Sequence, residues 1–278
     1  MKPFLNISLF FGILIVLLPR IYAHGGLDER IAAKTKEIEA DPTNQQLYFD
    51  RGYLHQQHED WDNALADYIQ AKNLGFRDKI IHFRQAEVYL ELALFRSGLT
   101  CTKLYLNNDS LDIKIHKLRA KFFFQLMDYE QSIIAHCYVL KHTIDLRPEN
   151  YIELGQVYLE KDSNLVDSAL YIINKGLKQL GSQVFILQQE KLNYLLIKGN
   201  QAAISEQFDQ LLAINNRKEN WYYQKAVYLF EQKQYKEALE ANQKAKAAFE
   251  QLKPHLQQTK AMMYLLANIH SLEQKLQD

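Results

Sequence analysis

The chain has 278 residues, of which 47% are hydrophobic, so it can build a sizeable core in one large domain or two small ones, and general disorder is excluded. Its 33 basic and 33 acidic side chains give a formal net charge of zero, and this balance gives no electrostatic reason to expect nucleic acid as a partner. Ten glycines and five prolines are few for a strand-rich fold with many turns, which favours helices.

Residues 1–23 are predicted to be a secretory signal peptide. After the single positive charge of Lys2, the run from Phe4 to Leu18 is almost wholly apolar, and Ala23 supplies the small residue of a cleavage site. The run of about 15 residues is short of the roughly 20 needed to span a bilayer. We therefore expect a periplasmic or secreted protein, with membrane contact only if the segment stays uncleaved as an anchor.

The next elements are a lead-in helix over residues 27–40 and a turn at Asp41-Pro42-Thr43-Asn44. Pro42 stops the preceding helix, and Asn44 can cap the following one. From this point an offset of 34 residues brings similar residues into register. The small, aromatic and aliphatic columns comprise Gly52, Ala86 and Ala120; Trp61, Phe95 and Tyr129; and Leu65, Leu99 and Ile133.

Each copy of this repeat is predicted to be a pair of helices. Two stripes at helical spacing comprise Tyr48, Gly52 and His55 in the first helix and Ala64, Tyr68 and Ala71 in the second. A polar turn over residues 58–60 separates them. The small residues Gly52 and Ala64 allow the two helices to approach closely. Neither helix could bury its stripe alone, so the copies must stack.

This pattern resembles the tetratricopeptide repeat, with His55 standing where that family usually has an aromatic residue. The resemblance implies an all-α fold, a right-handed superhelical solenoid of about six helix-turn-helix pairs with terminal capping helices. The solenoid is predicted over residues 24–278, with repeats at about 45–78, 79–112, 113–147, 148–182, 183–217 and 218–252 and a capping helix at 255–277. The fifth copy fits the pattern least well.

The resemblance also implies a concave surface lined by the first helix of each pair, where a peptide would bind. The residues expected in this groove are Phe49, Tyr53, Phe83, Arg84, Glu87, Lys117, Lys121 and Phe124. Aromatic anchors beside a few charges are the usual chemistry of a peptide site. The alternative is that Phe49 and Phe83 simply pack between copies. Family members that clamp a terminal carboxylate with Lys and Asn at these positions are excluded, because Phe49 and Tyr53 stand there.

Catalytic and metal-binding signals are weak. The sequence has no Gly-rich phosphate loop, Gly-x-Ser-x-Gly or His-Glu-x-x-His motif, so we expect neither enzymatic activity nor a cofactor. Packing is expected for most of the nine histidines, including His82 and His116 at equivalent repeat positions. Cys101 and Cys137 are expected to be free thiols, since stacked helices lie about 8–10 Å apart while a disulfide needs Cα atoms within about 7 Å.

Three functions remain open from the sequence. The first is a non-enzymatic scaffold that binds a protein or peptide of unknown identity outside the cytoplasm. The second is a subunit or assembly factor of a cell-envelope complex, held through its convex face or terminal helix. The third is a copper protein in which His24, made the amino terminus by cleavage, supplies an amine and an imidazole.

Overall fold

The computed structural model describes residues 25–107 and 111–277, and both parts are helical. The expected signal peptide and the copper ligand His24 lie outside the described residues. Over these two ranges there are fifteen α-helices, one short 3₁₀ turn and no strand. Contacts divide the chain into two compact units between Ser110 and Leu111, here called unit 1 and unit 2. No helix within the described ranges is long and apolar enough to cross a membrane.

Unit 1 contains one leading helix and two helix pairs. Its helices are α1 (Gly25–Ala40), α2 (Gln45–Gln57), α3 (Trp61–Asn73), α4 (Ile80–Glu91) and α5 (Phe95–Leu106). Helix α1 starts two residues before the expected lead-in helix. The Asn44 side chain accepts a hydrogen bond from the backbone N–H of Gln46 and so caps α2, as the sequence indicates.

Unit 2 contains four helix pairs and a terminal segment. The pairs are α6 (Ile113–Gln125) with α7 (Tyr129–His142), α8 (Pro148–Lys161) with α9 (Val166–Leu180), α10 (Phe185–Lys198) with α11 (Gln201–Ile214), and α12 (Glu219–Glu231) with α13 (Tyr235–Glu250). A 3₁₀ turn, Ser163–Leu165, occupies the longer loop before α9.

The terminal segment differs from the single capping helix expected over 255–277. It forms a short helix, α14 (Pro254–Gln257), and a long one, α15 (Lys260–Gln277). The Gln257 side-chain amide donates to the backbone carbonyls of Phe249, Glu250 and Leu252, which fixes α14 against the end of α13. The Thr259 hydroxyl donates to the Leu256 carbonyl at the break between the two helices.

The 34-residue offset is also visible in the backbone. Glu59, Ala93 and Met127 lie 34 residues apart, and all three adopt a left-handed conformation with φ of 62°, 56° and 59°. Each ends the tight turn between the two helices of its pair. The small-residue column has an equally direct cause: a Cβ added to Gly52 would lie 3.0 Å from two ring carbons of Tyr68. Ala64, Ala86 and Ala120 are fully buried.

The fifth pair, α10 with α11, packs differently from the others. Leu192 and Ile204 fill its interior and are almost completely buried, at the helix positions that Gly52 and Ala64 occupy in the first pair. A buried amide pair accompanies them, in which Gln207 Nε2 donates to the side-chain and backbone oxygens of Gln188. These larger and more polar residues explain why the repeat pattern is hard to recognise here.

Candidate functional site

The strongest candidate site lies in unit 1, where α2 and α4 each contribute a residue predicted for the groove. The Arg84 guanidinium carbon lies 4.5 Å from the centroid of the Tyr53 ring. The same carbon is 5.7 Å from the Phe83 ring. A cation over an aromatic face within about 6 Å is attracted by the ring quadrupole. The structure therefore brings Tyr53, Phe83 and Arg84 together.

A chain of hydrogen bonds fixes the orientation of Arg84. Its Nη1 donates to Glu87 Oε2 at 2.9 Å, and the Gln56 amide donates to the same oxygen at 2.9 Å. The Gln56 carbonyl oxygen in turn accepts a 2.6 Å hydrogen bond from the Tyr68 hydroxyl. Four side chains from α2, α3 and α4 are thus linked, so this surface is held in place before any ligand arrives. Glu87 also neutralises the charge of Arg84.

Phe49 and Phe83 pack against other aromatic side chains, as expected if they lie between repeats rather than in a groove. The Phe49 ring stacks on Phe76, with centroids 4.6 Å apart and planes inclined by 10°, and lies 5.6 Å from Tyr68. It belongs to the border of the core formed by α2, α3 and α4. Phe83 lies 5.9 Å from the ring of Tyr105 on α5. The aromatic side chain left to meet a ligand in this part of unit 1 is chiefly Tyr53.

A cavity of about 410 Å³ borders Tyr53 on the side of α1. Its lining comprises Arg30, Ala33, Lys34, Glu37, Asp50, Tyr53 and Leu54. Lys34 bridges the two helices, at 2.7 Å from Glu37 and 3.6 Å from Asp50. The hydrogen bond to Glu37 raises the pKa of Lys34. These α1 residues were not predicted for the site because α1 precedes the first full repeat; the available signal was the Lys34–Glu37 spacing on one helix face.

An ion pair between Arg51 and the buried Asp67 joins the helices that carry this surface. Arg51 donates two hydrogen bonds of 2.8 Å to the carboxylate of Asp67, joining α2 to α3. Arg51 Nη1 also donates to the Thr35 hydroxyl at 3.1 Å, which ties α1 to the same group. The pair with Asp67 raises the pKa of Arg51. Together these bonds set the position of α1 relative to α2, and hence the shape of the cavity beside Tyr53.

The other predicted groove residues lie in unit 2, where they form a separate group. Lys121 is 3.6 Å from Glu153 on α8, and Phe124 makes an edge contact with Tyr129. Lys117 is half-buried on α6 and has no ion-pair partner among the described residues. Glu153 also lies 4.0 Å from His136, whose pKa is lowered to about 4, first by burial and then by Lys121.

The histidines and cysteines stand as follows. No group of three or more His, Cys, Asp or Glu within the ranges described is arranged to hold a metal ion. His55 contacts Asp60 at 3.1 Å and His58 contacts Asp28 at 3.2 Å, so these neighbours in sequence have different partners.

Both cysteines are free thiols. Cys101 is buried in unit 1, and burial raises its pKa to about 11, while Cys137 is exposed in unit 2.

No protein-family model matches the sequence, and a search of curated proteins finds no match. Solved structures do resemble it. The C-terminal part of a TPR repeat-containing protein from Cytophaga hutchinsonii has a TM-score of 0.67 at 14% identity, covering 87% of this chain and 95% of that one. A tetratricopeptide repeat protein from Parabacteroides merdae has a TM-score of 0.55 at 14% identity, covering 91% and 93%.

A third similar structure is YrrB, described as a TPR protein with an unusual peptide-binding site. Its TM-score is 0.53 at 15% identity, over 66% of this chain and 93% of YrrB. At such low identities the likeness establishes the fold. The predicted all-α class of tandem helix pairs is therefore confirmed.

Proposed function

We propose that this chain, whose fold is that of tetratricopeptide repeat proteins, is a non-enzymatic scaffold that binds a protein or peptide outside the cytoplasm. The observation that carries the proposal is the Tyr53 site, defined here as Tyr53, Arg84, Glu87 and Gln56 with the neighbouring α1 cavity. A fixed, partly exposed aromatic ring beside paired charges is suited to recognition, because aromatic side chains dominate binding energy while charges add specificity.

The partner is expected to present an apolar or aromatic side chain to Tyr53 and the cavity. The charges around the site are already paired, Lys34 with Asp50 and Arg84 with Glu87. Hydrogen bonds to these side chains can therefore orient the partner, and the partner needs little net charge. The similarity to YrrB supports peptide binding as the class of activity.

The location outside the cytoplasm is supported by the sequence of residues 1–23 alone. The apolar run, the preceding Lys2 and the small Ala23 are the features of an exported chain.

The test begins with a pull-down from a cell-envelope extract of the native host, using wild-type protein and a Tyr53→Ala variant as parallel baits. We expect one or more proteins captured by wild type to be lost with Tyr53→Ala and kept with Tyr235→Ala, an exposed tyrosine of unit 2. Equal capture by all three baits would contradict the Tyr53 site.

A specific observation favours the second candidate, a subunit or assembly factor of an envelope complex. Helix α15 exposes Met263 and Tyr264, with 61% and 71% of their surface accessible. Terminal elements of a repeat array normally carry a polar outer face. If the chain is such a subunit, the Met263→Glu/Tyr264→Glu variant should fail to capture the partner protein, whereas Tyr53→Ala should still capture it.

A further inference from the structure

A larger cavity lies in unit 2, far along the chain from the Tyr53 site. It has a volume of about 550 Å³ and is a groove with α11 and α13 as walls and α12 as floor. Ala202 and Ser205 lie on one wall and Ala241 on the other, while Tyr222, Tyr228 and Leu229 contribute to the floor. We call this the α11–α13 groove. Small residues on both walls leave room for a further element to approach closely.

The groove is held open by bonds on its margin. Lys225 Nζ donates to Asp209 at 2.6 Å and so links the floor to the α11 wall. Gln201 Nε2 donates to Gln232 Oε1 at 2.9 Å and links the start of α11 to the end of α12. The groove is therefore preformed, which lowers the conformational cost of filling it.

The charges that remain unpaired lie on the α13 wall. Asp209 is neutralised by Lys225, but Glu237 and Glu240 have no ion-pair partner over the described ranges. These two carboxylates are three residues apart and share one face of the helix. Lys244, one turn further on, is also unpaired there. The wall thus offers two negative charges followed by one positive charge.

The apolar floor decides the backbone conformation of an occupant. The backbone N–H and C=O groups of α11, α12 and α13 are used within their own helices, so the walls and floor offer an extended chain no backbone hydrogen bonds of the kind that a strand forms. A helix satisfies its own backbone groups internally and presents a stripe of side chains to the floor.

We propose that the α11–α13 groove binds an amphipathic α-helix of a partner protein. Its apolar stripe packs on the floor beside Ala202, Ser205 and Ala241. Two basic side chains one turn apart pair with Glu237 and Glu240. This site is independent of the Tyr53 site and does not rest on the proposed function there.

The test uses a displayed library of helical peptides about 18 residues long, since isolated helices shorter than about 12–15 residues are marginal. One face is randomised, and selection is made on wild-type protein. The variants are Glu237→Gln/Glu240→Gln, which removes the two charges, and Ser205→Trp, which fills the groove. The matched control, Glu231→Gln/Glu250→Gln, makes the same charge change at exposed positions outside the lining.

We expect enriched peptides with an apolar stripe and two Lys or Arg one turn apart. In solution, by fluorescence anisotropy, their affinity should fall about tenfold or more in both groove variants and remain unchanged in the control. Circular dichroism checks that each variant is folded. If Ser205→Trp is unfolded, the outcome is decided by Glu237→Gln/Glu240→Gln alone.

Three results would overturn the proposal. The first is no enrichment above a selection without protein. The second is peptides that bind all variants alike or that lack the two basic residues. The third is a self-association of the wild-type chain in sedimentation that Glu237→Gln/Glu240→Gln abolishes, which would make a second copy of this chain the occupant.

Discussion

Arg51 and Asp67 form a two-pronged ion pair inside unit 1, with N–O distances of 2.8 Å from both Nε and Nη2. The side chain of Asp67 is 7% exposed and that of Arg51 is 20% exposed. The pair joins α2 to α3, and Arg51 lies two residues before Tyr53 on α2. Because Arg51 also reaches Thr35, one guanidinium orients α1, α2 and α3 together.

The first prediction concerns the stability given by this pair. Arg51→Met keeps the aliphatic stem but leaves the Asp67 carboxylate buried without its partner, and we expect a loss of about 3 kcal/mol in unfolding free energy. Arg51→Met/Asp67→Leu should recover most of it, because two apolar residues leave no buried charge. Lys198→Met breaks a much more exposed pair with Asp167 and should cost less than about 1 kcal/mol.

Urea unfolding followed by circular dichroism measures all three variants, and hydrogen exchange in α2 and α3 localises the effect. If the double variant were as unstable as Arg51→Met, loss of packing rather than the stranded carboxylate would be responsible.

The second prediction concerns the small-residue column. Gly52→Ala places a Cβ 3.0 Å from the Tyr68 ring and 3.1 Å from Asp67 Cβ, so the Tyr68 ring or α3 must shift to make room for it. We expect a cost of about 1–3 kcal/mol, as for overpacking elsewhere. Gly26→Ala in α1 is the matched control, since nothing lies within 4 Å of its added Cβ and alanine favours helix. Thermal unfolding that ranks the two variants in the opposite order would contradict the close helix approach.

The third prediction is a pH dependence centred on His136. Burial, followed by the charge of Lys121, lowers the pKa of His136 in the folded protein to about 4, against about 6.5 for an unperturbed histidine. The unfolded state therefore binds the extra proton first. The contribution of His136 to stability is complete above about pH 6.5 and is lost progressively as the pH falls towards 4, by about 3 kcal/mol in all.

His136→Gln should flatten the rise of unfolding free energy between pH 5 and pH 7, as measured by urea titrations at each pH. The control is His270→Gln, at an exposed position on α15. Parallel pH profiles for His136→Gln and wild type would show that the imidazole is not kept neutral by its surroundings.

The fourth prediction is that the mature protein begins at His24. Protein isolated from the native host should be roughly 2.7 kDa lighter than the translated chain, because the apolar run of residues 4–18 lies in a segment with the features of a cleaved signal. Edman sequencing or intact mass measures this. An Ala23→Phe variant, which removes the small residue at the cleavage site, should retain the full length. A chain starting at Met1 in wild type would contradict export by cleavage.

The helix pairs could be predicted because they repeat. Residues such as Gly52, Ala64 and Tyr68 have a type and spacing that a single sequence displays several times, and the structure adds a left-handed turn with the same period. The fifth pair was harder, since Leu192 and Ile204 stand where the first pair has the small residues Gly52 and Ala64.

The site was less predictable than the fold. Whether Phe49 faces a groove or the core depends on a helix rotation of about one residue, and the sequence does not fix that rotation. The structure places Phe49 on Phe76, and it gives Arg84 a neutralising partner in Glu87. The contribution of Lys34 was missed because α1 belongs to no complete repeat. The α11–α13 groove was also missed, since a space between helices has no sequence signal.

The last prediction tests binding at the Tyr53 site, with a partner first obtained by pull-down. Tyr53→Ala removes the exposed ring and the stacking surface of Arg84, and we expect a loss of about 1–3 kcal/mol in affinity by calorimetry. Tyr53→Phe should retain most of the affinity, since it keeps the ring over which Arg84 lies. If Tyr53→Ala binds like wild type while Met263→Glu/Tyr264→Glu does not, α15 is the binding surface and the chain is a subunit held through its terminal helix.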